Sequence, residues 1–149
     1  MANFPSLAGR DLEWRDRRVP EDLEGSPRVL VVAFKQWHQP VVNAWVAALE
    51  RDGRGRAPGM RIYEVPTISD RWNRWRDGID GNMVRAIPDR DVRERTVTVY
   101  APLAPIVRAL GLWSRRRVAV FVLADDGAIR ARAVGAPTPA SVRAVIDAL

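Results

Sequence analysis

Apolar residues in this chain collect in short runs that predict β-strands. The run Arg28–Phe34 is apolar at every position after its arginine, which is typical of a central strand buried on both faces. Met60–Pro66 and Thr96–Tyr100 predict two more strands from their β-branched and aromatic residues. Val118–Leu123 and Ala128–Val134 flank an Asp-Asp-Gly turn, so they predict a β-hairpin near the C-terminus.

Apolar residues at helical spacing predict helices between these strands. One helix begins near Pro40 and stops at Gly53, another covers Leu103–Leu110, and the last runs from about Pro139 to Leu149. With the short helix described next, the order is a lead-in followed by β-α-β-α-β-α-β-β-α. This order predicts an α/β fold with three layers, in which a central mixed sheet has parallel crossovers and ends in a C-terminal β-hairpin plus helix.

The segment between the second and third predicted strands has a mixed pattern. Ser69 or Asp70 can cap a short helix that ends near Asp77. Residues 80–83, Asp-Gly-Asn-Met, predict a turn, and residues 84–95 predict a loop with a helical turn near Arg90. We therefore expect this segment to consist mainly of turns and loop after its first helix.

Length and composition predict one globular domain over residues 1–149. The chain has 149 residues, of which 47% are hydrophobic, enough to form a single core. Residues 1–27 are polar and interrupted by proline and glycine, so they predict a hairpin or an irregular lead-in that covers one sheet edge. No apolar run approaches the roughly 20 residues needed to cross a bilayer, and the first residues lack the pattern of a secretion signal. We therefore expect a cytoplasmic location.

The positive charge of the chain is almost entirely arginine. Lysine and arginine number 24 against 18 acidic residues, which gives a net charge of +6, and Lys35 is the only lysine. Arginine suits phosphates, carboxylates and aromatic faces, which favours an anionic partner. However, the charges alternate in sign along most of the chain, and this pattern indicates a salt-bridged surface instead of one basic block.

The residue types exclude several kinds of chemistry. The chain has no cysteine, so disulfides, thiolate nucleophiles and sulfur ligands for metals are excluded. His38 is the only histidine, and one histidine does not build a transition-metal centre. Asp77, Asp80 and Asn82 lack the spacing and the closing glutamate of a calcium loop, and no phosphate-binding glycine loop or serine nucleophile motif is present. We expect neither a metal nor a cofactor.

The residues at the head of the first long helix form a candidate binding loop. The loop contains Trp37, His38, Gln39 and Pro40. A helix N-terminus favours bound anions and disfavours a protonated imidazole. A catalytic base would need a nucleophile or an orienting acid nearby, and the sequence offers none at local spacing. A structural or solvent-facing role for His38 is therefore favoured over ligand contact, and ligand contact over catalysis.

Tryptophan and arginine alternate in residues 71–76. Trp72 and Trp75 are three residues apart, as are Arg71 and Arg74, so a helix would carry an aromatic stripe beside a basic one. Such a helix could pack its tryptophans against the domain, form a patch for a protein partner, or bind nucleic acid or lipid. From residue 71 to 95 there are seven arginines and five acids, so nucleic acid is a disfavoured partner.

A second group of residues extends this candidate ligand or partner patch. It comprises Asp80, Gly81, Met83, Arg90 and Arg95. Arg90 and Arg95 could orient the Asp80-Gly81 loop or an anion. The alternating signs of residues 90–95 favour a salt-bridged surface instead.

The order of elements and several local residues resemble the thioredoxin-like superfamily. In that family a buried strand runs into Trp-Cys-Gly-Pro-Cys at the start of a helix, and here residues 37–41 read Trp-His-Gln-Pro-Val. His38 and Val41 stand where the two thiols would be. The glycines Gly127 and Gly135 repeat the spacing of the family's C-terminal hairpin, whereas three arginines at 115–117 occupy the stretch of its cis-proline.

A closer resemblance is to the peroxiredoxin-like subgroup that includes the mitochondrial ATP-synthase assembly factor of fungi and its bacterial and plant relatives. The matching landmarks are Phe4-Pro5-x-Leu7-x-Gly9, Val19-Pro20-x-Asp22-Leu23-x-Gly25, Gln39 with Trp45, Ile79-Asp80-Gly81-x-Met83, and Arg95–Tyr100. Thiol exchange and peroxide reduction both need a cysteine sulfur, so neither is expected here. The resemblance implies a non-redox module that binds or assembles another protein. An enzyme of another kind that uses His38, or an Arg/Trp-mediated nucleic-acid binder, are the alternatives.

Overall fold

A seven-stranded sheet with helices on both faces forms the protein. The computed structural model describes residues 2–149. The strands are β1 (Leu7–Asp11), β2 (Asp16–Val19), β3 (Arg28–Ala33), β4 (Arg61–Ser69), β5 (Val97–Ala101), β6 (Ala119–Leu123) and β7 (Ile129–Val134). The α-helices are α1 (Gln39–Gly53), α2 (Arg76–Ala86), α3 (Arg90–Glu94), α4 (Leu103–Ala109) and α5 (Pro139–Asp147). Short 3₁₀ helices at Gln36–His38 and Asp70–Trp75 precede α1 and α2.

The strand order in the sheet is β2-β1-β5-β4-β3-β6-β7. The three central strands β3, β4 and β5 are parallel, and the outer strands are antiparallel to their neighbours. This arrangement confirms the predicted mixed sheet with parallel crossovers and a C-terminal hairpin. The predicted N-terminal lead-in is the β1–β2 hairpin, and β1 pairs with β5, so the lead-in extends the sheet.

Two apolar cores lie on opposite faces of the sheet. Because side chains alternate along a strand, Val29 and Val31 of β3 pack in the core with α1 and α5, whereas Leu30 and Val32 pack in the core with α4. The β3 strand is buried on both faces, as its apolar run predicts. The resulting order of helix, sheet and helix is the predicted three-layer sandwich.

Helices α1 and α5 begin where sequence signals place their starts. Pro40 lies in the first turn of α1, where its missing N–H costs no helical hydrogen bond. Thr138 and Ser141 cap α5 reciprocally, because each side chain bonds to the backbone N–H of the other residue. Both helices therefore have defined ends as well as apolar faces.

The prediction of a turn at residues 80–83 is wrong, because these residues lie in α2. Gly78 and Gly81 each cost a helix about 1 kcal/mol relative to alanine, which is why the local pattern favours a turn. Tertiary contacts compensate, since Asp80 is buried on the inner side of α2 and bonds to side chains of β1 and β5. Met83 is half-buried on the same helix.

The carboxyl ends of the three central strands lie at one edge of the sheet. The candidate binding loop at residues 37–40 follows β3, and the 3₁₀ helix with its tryptophans follows β4. Because β6 is antiparallel to β3, the loop before β6 reaches the same edge, where Ala119 is paired with Val32. This edge therefore collects several of the segments that the sequence marks as candidates.

Candidate functional site

The side chain of His38 locks the loop between β3 and α1. Only 2% of His38 is exposed. Its Nδ1 accepts a hydrogen bond from the backbone N–H of Phe34 at 3.2 Å, so Nε2 carries the proton and donates to the Arg116 carbonyl at 2.9 Å. Both ring nitrogens are therefore occupied, and the imidazole ties the head of α1 to the loop before β6.

The neighbours of His38 in the loop face solvent. Trp37 is 66% exposed, and its ring meets the imidazole edge-on with the ring centroids 4.5 Å apart. Gln39 and Pro40 are also exposed, and the Gln39 amide donates to Glu64 at 3.2 Å. Of the four predicted loop residues, Trp37 thus offers the largest apolar surface to a partner, whereas His38 offers none.

The tryptophans of the 3₁₀ helix are half-exposed and pack on each other. Trp72 and Trp75 have ring centroids 5.6 Å apart, and the guanidinium groups of Arg71 and Arg74 lie over their rings at 5.2 and 4.8 Å. No residue of this 3₁₀ helix is buried. The segment contacts β4 and β5, but about half of each tryptophan stays exposed, so the prediction that it docks its tryptophans against the domain holds only in part.

A fourth exposed tryptophan belongs to the same edge of the sheet. Trp113, in the loop before β6, is fully exposed. We call Trp37, Trp72, Trp75 and Trp113 together the tryptophan edge. When a partner covers a large aromatic side chain that was exposed to water, the free energy of the system falls. This edge is therefore suited to association.

A buried carboxylate joins α2 to the sheet on the face that carries α1. Asp80 is 1% exposed, and its Oδ2 accepts from the Arg10 guanidinium at 2.8 and 3.2 Å and from the Thr98 hydroxyl at 2.9 Å. Its Oδ1 accepts from the Tyr100 hydroxyl at 2.8 Å. The same arginine reaches the exposed Asp77 at 2.9 Å. These contacts satisfy both oxygens of Asp80 and hold the helix on β1 and β5.

The electrostatics of this cluster keep Arg10 charged and Tyr100 neutral. Burial raises the pKa of Tyr100 well above its usual range, and the adjacent Asp80 raises it further through its hydrogen bond and its charge. Burial by itself would lower the pKa of Arg10, but the hydrogen bonds to Asp80 and Asp77 raise it overall. The cluster therefore combines a charged arginine with a neutral tyrosine, which suits an anchor better than a proton-transfer site.

Arg90 and Arg95 pair with acids other than Asp80. Arg90 pairs with Glu94 at 3.0 Å, and Arg95 pairs with Glu50 at 3.2 Å. The interpretation that these arginines orient the Asp80-Gly81 segment is wrong, and the alternative of a salt-bridged surface is confirmed. Arg10 takes the role instead, and no local signal marks it because it lies 70 residues before Asp80.

A cavity of about 450 Å³ adjoins the Asp80 cluster between the β1–β2 hairpin and the start of α2. Arg76 and Tyr100 line it together with residues of the hairpin. The guanidinium carbon of Arg76 lies 5.2 Å above the Tyr100 ring. Sequence reasoning missed this cavity, because hairpin and helix are far apart in the chain.

Residues 2–149 contain neither a group of side chains that could hold a metal ion nor a helix that could span a bilayer. Their histidine and acidic side chains form no group of three or more that could hold a metal ion. None of their helices has both the length and the apolar character that crossing a bilayer requires.

Structural comparison places the architecture among known folds. Arabidopsis thaliana ScoI with copper bound matches with a TM-score of 0.64 and 9% identity, over 99% of this chain and 98% of that one. BsSco, a member of the Sco family of cytochrome c oxidase assembly proteins, matches with a TM-score of 0.65 and 7% identity, over 98% and 90%. The pneumococcal exposed lipoprotein thioredoxin of Streptococcus pneumoniae matches with a TM-score of 0.55 and 10% identity, over 97% and 100%.

Sequence comparison adds no closer relationship. No protein-family profile matches the chain, and no curated protein sequence matches it. At identities of 10% or less, these structural likenesses carry the fold and not the activity. The chain, which contains no cysteine, therefore has a thioredoxin-like fold.

Proposed function

We propose that this protein is a non-redox thioredoxin-like module that binds another protein through the tryptophan edge. The observation that supports the proposal is the exposure of four tryptophans beside segments that follow the carboxyl ends of β3 and β4 or precede β6. Tryptophan and arginine are enriched at protein interfaces and supply a large share of the binding energy there.

The head of α1 supports recognition in preference to chemistry. The chain has no cysteine, so thiol exchange has no nucleophile. His38 is buried, and both of its ring nitrogens bond to backbone groups, which leaves no nitrogen for a substrate. An enzyme that uses His38 would have to break both bonds first, and we therefore rank that alternative lower.

The charge of the same edge favours a partner with an acidic surface. Three segments supply this charge, namely residues 35–40, 70–75 and 112–117. They carry six exposed cations, which are Lys35, Arg71, Arg74, Arg115, Arg116 and Arg117, and one acid, Asp70. Complementary charge steers association and selects against basic surfaces.

A role in the assembly of a protein complex is the finer form of the proposal. The resemblance to the peroxiredoxin-like subgroup with an ATP-synthase assembly factor supports it, as does the structural likeness to a Sco family protein named for cytochrome c oxidase assembly. The client would be a subunit whose acidic, apolar surface is exposed before assembly. We propose a cytoplasmic location for this step.

The test is a quantitative capture experiment with matched tryptophan variants. Wild-type protein, Trp37→Ala and Trp14→Ala are used as baits in extracts carrying different isotope labels. Trp14 is 48% exposed in the turn between β1 and β2, and this turn lies at the opposite edge of the sheet. We expect one protein to be retained by wild type and Trp14→Ala and to fall at least about tenfold with Trp37→Ala, the result of losing one interface hot spot.

Two outcomes would contradict the proposal. Equal retention by all three baits would show that the tryptophan edge is not the contact surface. The second outcome is recovery of nucleic acid in place of protein. If the amount recovered falls steeply with added salt and in the double variant Arg71→Gln, Arg74→Gln, the nucleic-acid alternative replaces the proposal.

A further inference from the structure

The cavity beside α2 is lined mainly by hydrogen-bond donors. Arg17, Arg18, Asn73, Arg76 and Tyr100 line its walls. Its volume of about 450 Å³ lies within the range of sites that hold small molecules. It therefore has the size and the chemistry of a site for an anionic ligand.

Arg76 is the donor in this cavity that the fold leaves without a partner. Asp77 follows it directly and Asp80 lies one helical turn later, the position from which a carboxylate usually pairs with an arginine. Both of these acids bond to Arg10 instead. Within residues 2–149, the buried Nε of Arg76 has no hydrogen-bond partner.

Such a donor is costly as long as it has no acceptor. A buried polar group without a hydrogen bond destabilises the folded state, and most such groups in native proteins have a partner. Arg76 is also restricted in movement, because its guanidinium lies over the Tyr100 ring. An arginine that is held in this way can present its two terminal nitrogens to an oxyanion, which accepts two parallel hydrogen bonds.

The acids at the cavity leave some of its hydrogen-bond donors free. Arg17 already pairs with Asp11 and Glu24, so the charges that remain at the cavity are those of Arg18 and Arg76 beside Asp16 and Asp22. The Asp22 carboxylate already accepts the backbone N–H of Arg18 at 2.7 Å, and its carbonyl accepts from Arg17 at 2.7 Å. The cavity therefore keeps an excess of donors over acceptors.

We propose that this cavity binds a small ligand through an oxyanion group, a phosphate or a carboxylate, with Arg76 as the anchor and with Arg18 and Asn73 as further donors. The cavity is larger than one phosphate, so the ligand carries a body that contacts Tyr100. This inference does not depend on the protein-contact proposal, because it concerns other side chains and is tested with the purified chain alone.

The test observes the Nε–Hε group of Arg76 directly by ¹⁵N NMR. Labelled full-length protein is titrated with inorganic phosphate and, separately, with acetate, at an ionic strength kept constant with sodium chloride. We expect a saturable shift of the Arg76 signal at millimolar concentrations of the oxyanion. Arg76→Gln should weaken binding about tenfold, monitored through the Asn73 side-chain amide. A stronger response to phosphate indicates a phosphate ester as the ligand, and a stronger response to acetate indicates a carboxylate.

Matched variants separate a built site from general attraction. Arg108→Gln removes an exposed arginine of α4 and should leave binding unchanged, whereas Arg18→Gln should weaken it about threefold without removing the anchor. The proposal is overturned if the Arg76 signal does not respond, if chloride alone gives the same shift, or if Arg108→Gln weakens binding as much as Arg18→Gln. If Arg76→Gln fails to fold, unchanged binding in both Arg18→Gln and Asn73→Ala overturns it.

Discussion

The head of α1 carries the His38 imidazole, and the start of α2 carries the Arg76 guanidinium. The two groups differ in whether their buried nitrogens form hydrogen bonds. At the head of α1, both nitrogens of His38 bond to backbone groups. At the start of α2, the buried Nε of Arg76 has no partner among residues 2–149. The imidazole of His38 therefore has no nitrogen left for a ligand, whereas Arg76 has a donor without an acceptor.

This difference shows that one fold can satisfy the polar groups of one region and leave a donor of another region without a partner. In the family that the chain resembles, the head of this helix carries the reacting thiols, and here a histidine fills the position with structural hydrogen bonds. Beside α2, the acids that would neutralise Arg76 are held by Arg10, which comes from the N-terminal hairpin. Whether a polar side chain is available to a ligand therefore depends on the hydrogen-bond partners that the fold gives it as well as on its residue type.

The largest effect is expected where buried charges are paired. Asp80→Ala removes two of the three hydrogen bonds of Arg10 to acids and the acceptor of the Tyr100 hydroxyl, so we expect the free energy of unfolding to fall by about 3–5 kcal/mol. Urea denaturation followed by circular dichroism measures this change. Asp77→Ala is the matched control, because Asp77 is 81% exposed and binds the same arginine, and it should cost less than about 1 kcal/mol. Equal losses in the two variants would contradict the anchor role of Asp80.

Removal of the imidazole should also destabilise the protein. His38→Ala leaves the Phe34 N–H and the Arg116 carbonyl without a partner, and we expect a loss of about 2–3 kcal/mol in urea denaturation. Trp37→Ala changes the exposed neighbour and should cost less than about 1 kcal/mol. A His38→Ala protein as stable as wild type would mean that the loop is not held by this ring.

The two tyrosines predict how stability depends on alkaline pH. Burial in the folded state raises the pKa of Tyr63 and of Tyr100, and the hydrogen bond and charge of Asp80 raise the pKa of Tyr100 further. Folding therefore favours the neutral form of both phenols. Below pH about 10, both phenols are neutral in the folded and unfolded chains. Above it, only the unfolded chain releases the protons, so stability should fall by up to about 1.4 kcal/mol per pH unit for each tyrosine.

Tyr100→Phe tests the share of this slope that belongs to the Asp80 cluster. Urea midpoints between pH 9 and 11 should fall less steeply in this variant than in wild type, and the single lysine affects both proteins equally. The same slope in both proteins would contradict the high pKa of Tyr100.

The smallest effect on stability is expected at Arg76. Its buried Nε has no partner to lose, so Arg76→Gln should change the free energy of unfolding by less than about 0.5 kcal/mol, or increase it. Arg10→Gln, which removes the partner of buried Asp80, should be far more damaging. Thermal unfolding of the two variants side by side makes the comparison, and a large loss with Arg76→Gln would remove the contrast between the two regions.

Local patterns predicted most of the fold, because strands and helices bury regular faces. The apolar run of β3, the Asp-Asp-Gly turn of the hairpin and Pro40 at the start of α1 each specify structure within a few residues. Trp45, on the apolar face of α1, is fully buried, and its Nε1–H donates to the Gly135 carbonyl. The order of these signals was sufficient for the layers and the strand directions.

Contacts between distant segments were not predictable in this way. Two glycines weaken α2 locally, and the helix depends on Asp80, whose partners lie in β1 and β5. The sequence does not show that Arg10 bonds to both Asp77 and Asp80, nor that Arg76 therefore forms no bond to either of them. The half-exposed Trp72 and Trp75 were equally hidden, because a stripe of aromatic residues is also the pattern of a packed helix.

An NMR measurement of the single histidine tests most directly whether both nitrogens of His38 bond to backbone groups. A long-range ¹⁵N–¹H NMR spectrum of the folded protein distinguishes the two neutral forms of an imidazole, and this chain gives one set of signals because it has one histidine. We expect a fixed Nε2–H form with an unprotonated Nδ1, together with slow hydrogen exchange of the Phe34 amide. An Nδ1–H form, or a ring that averages between the two forms with a rapidly exchanging Phe34 amide, would contradict the claim that His38 serves structure and leaves recognition to the surface.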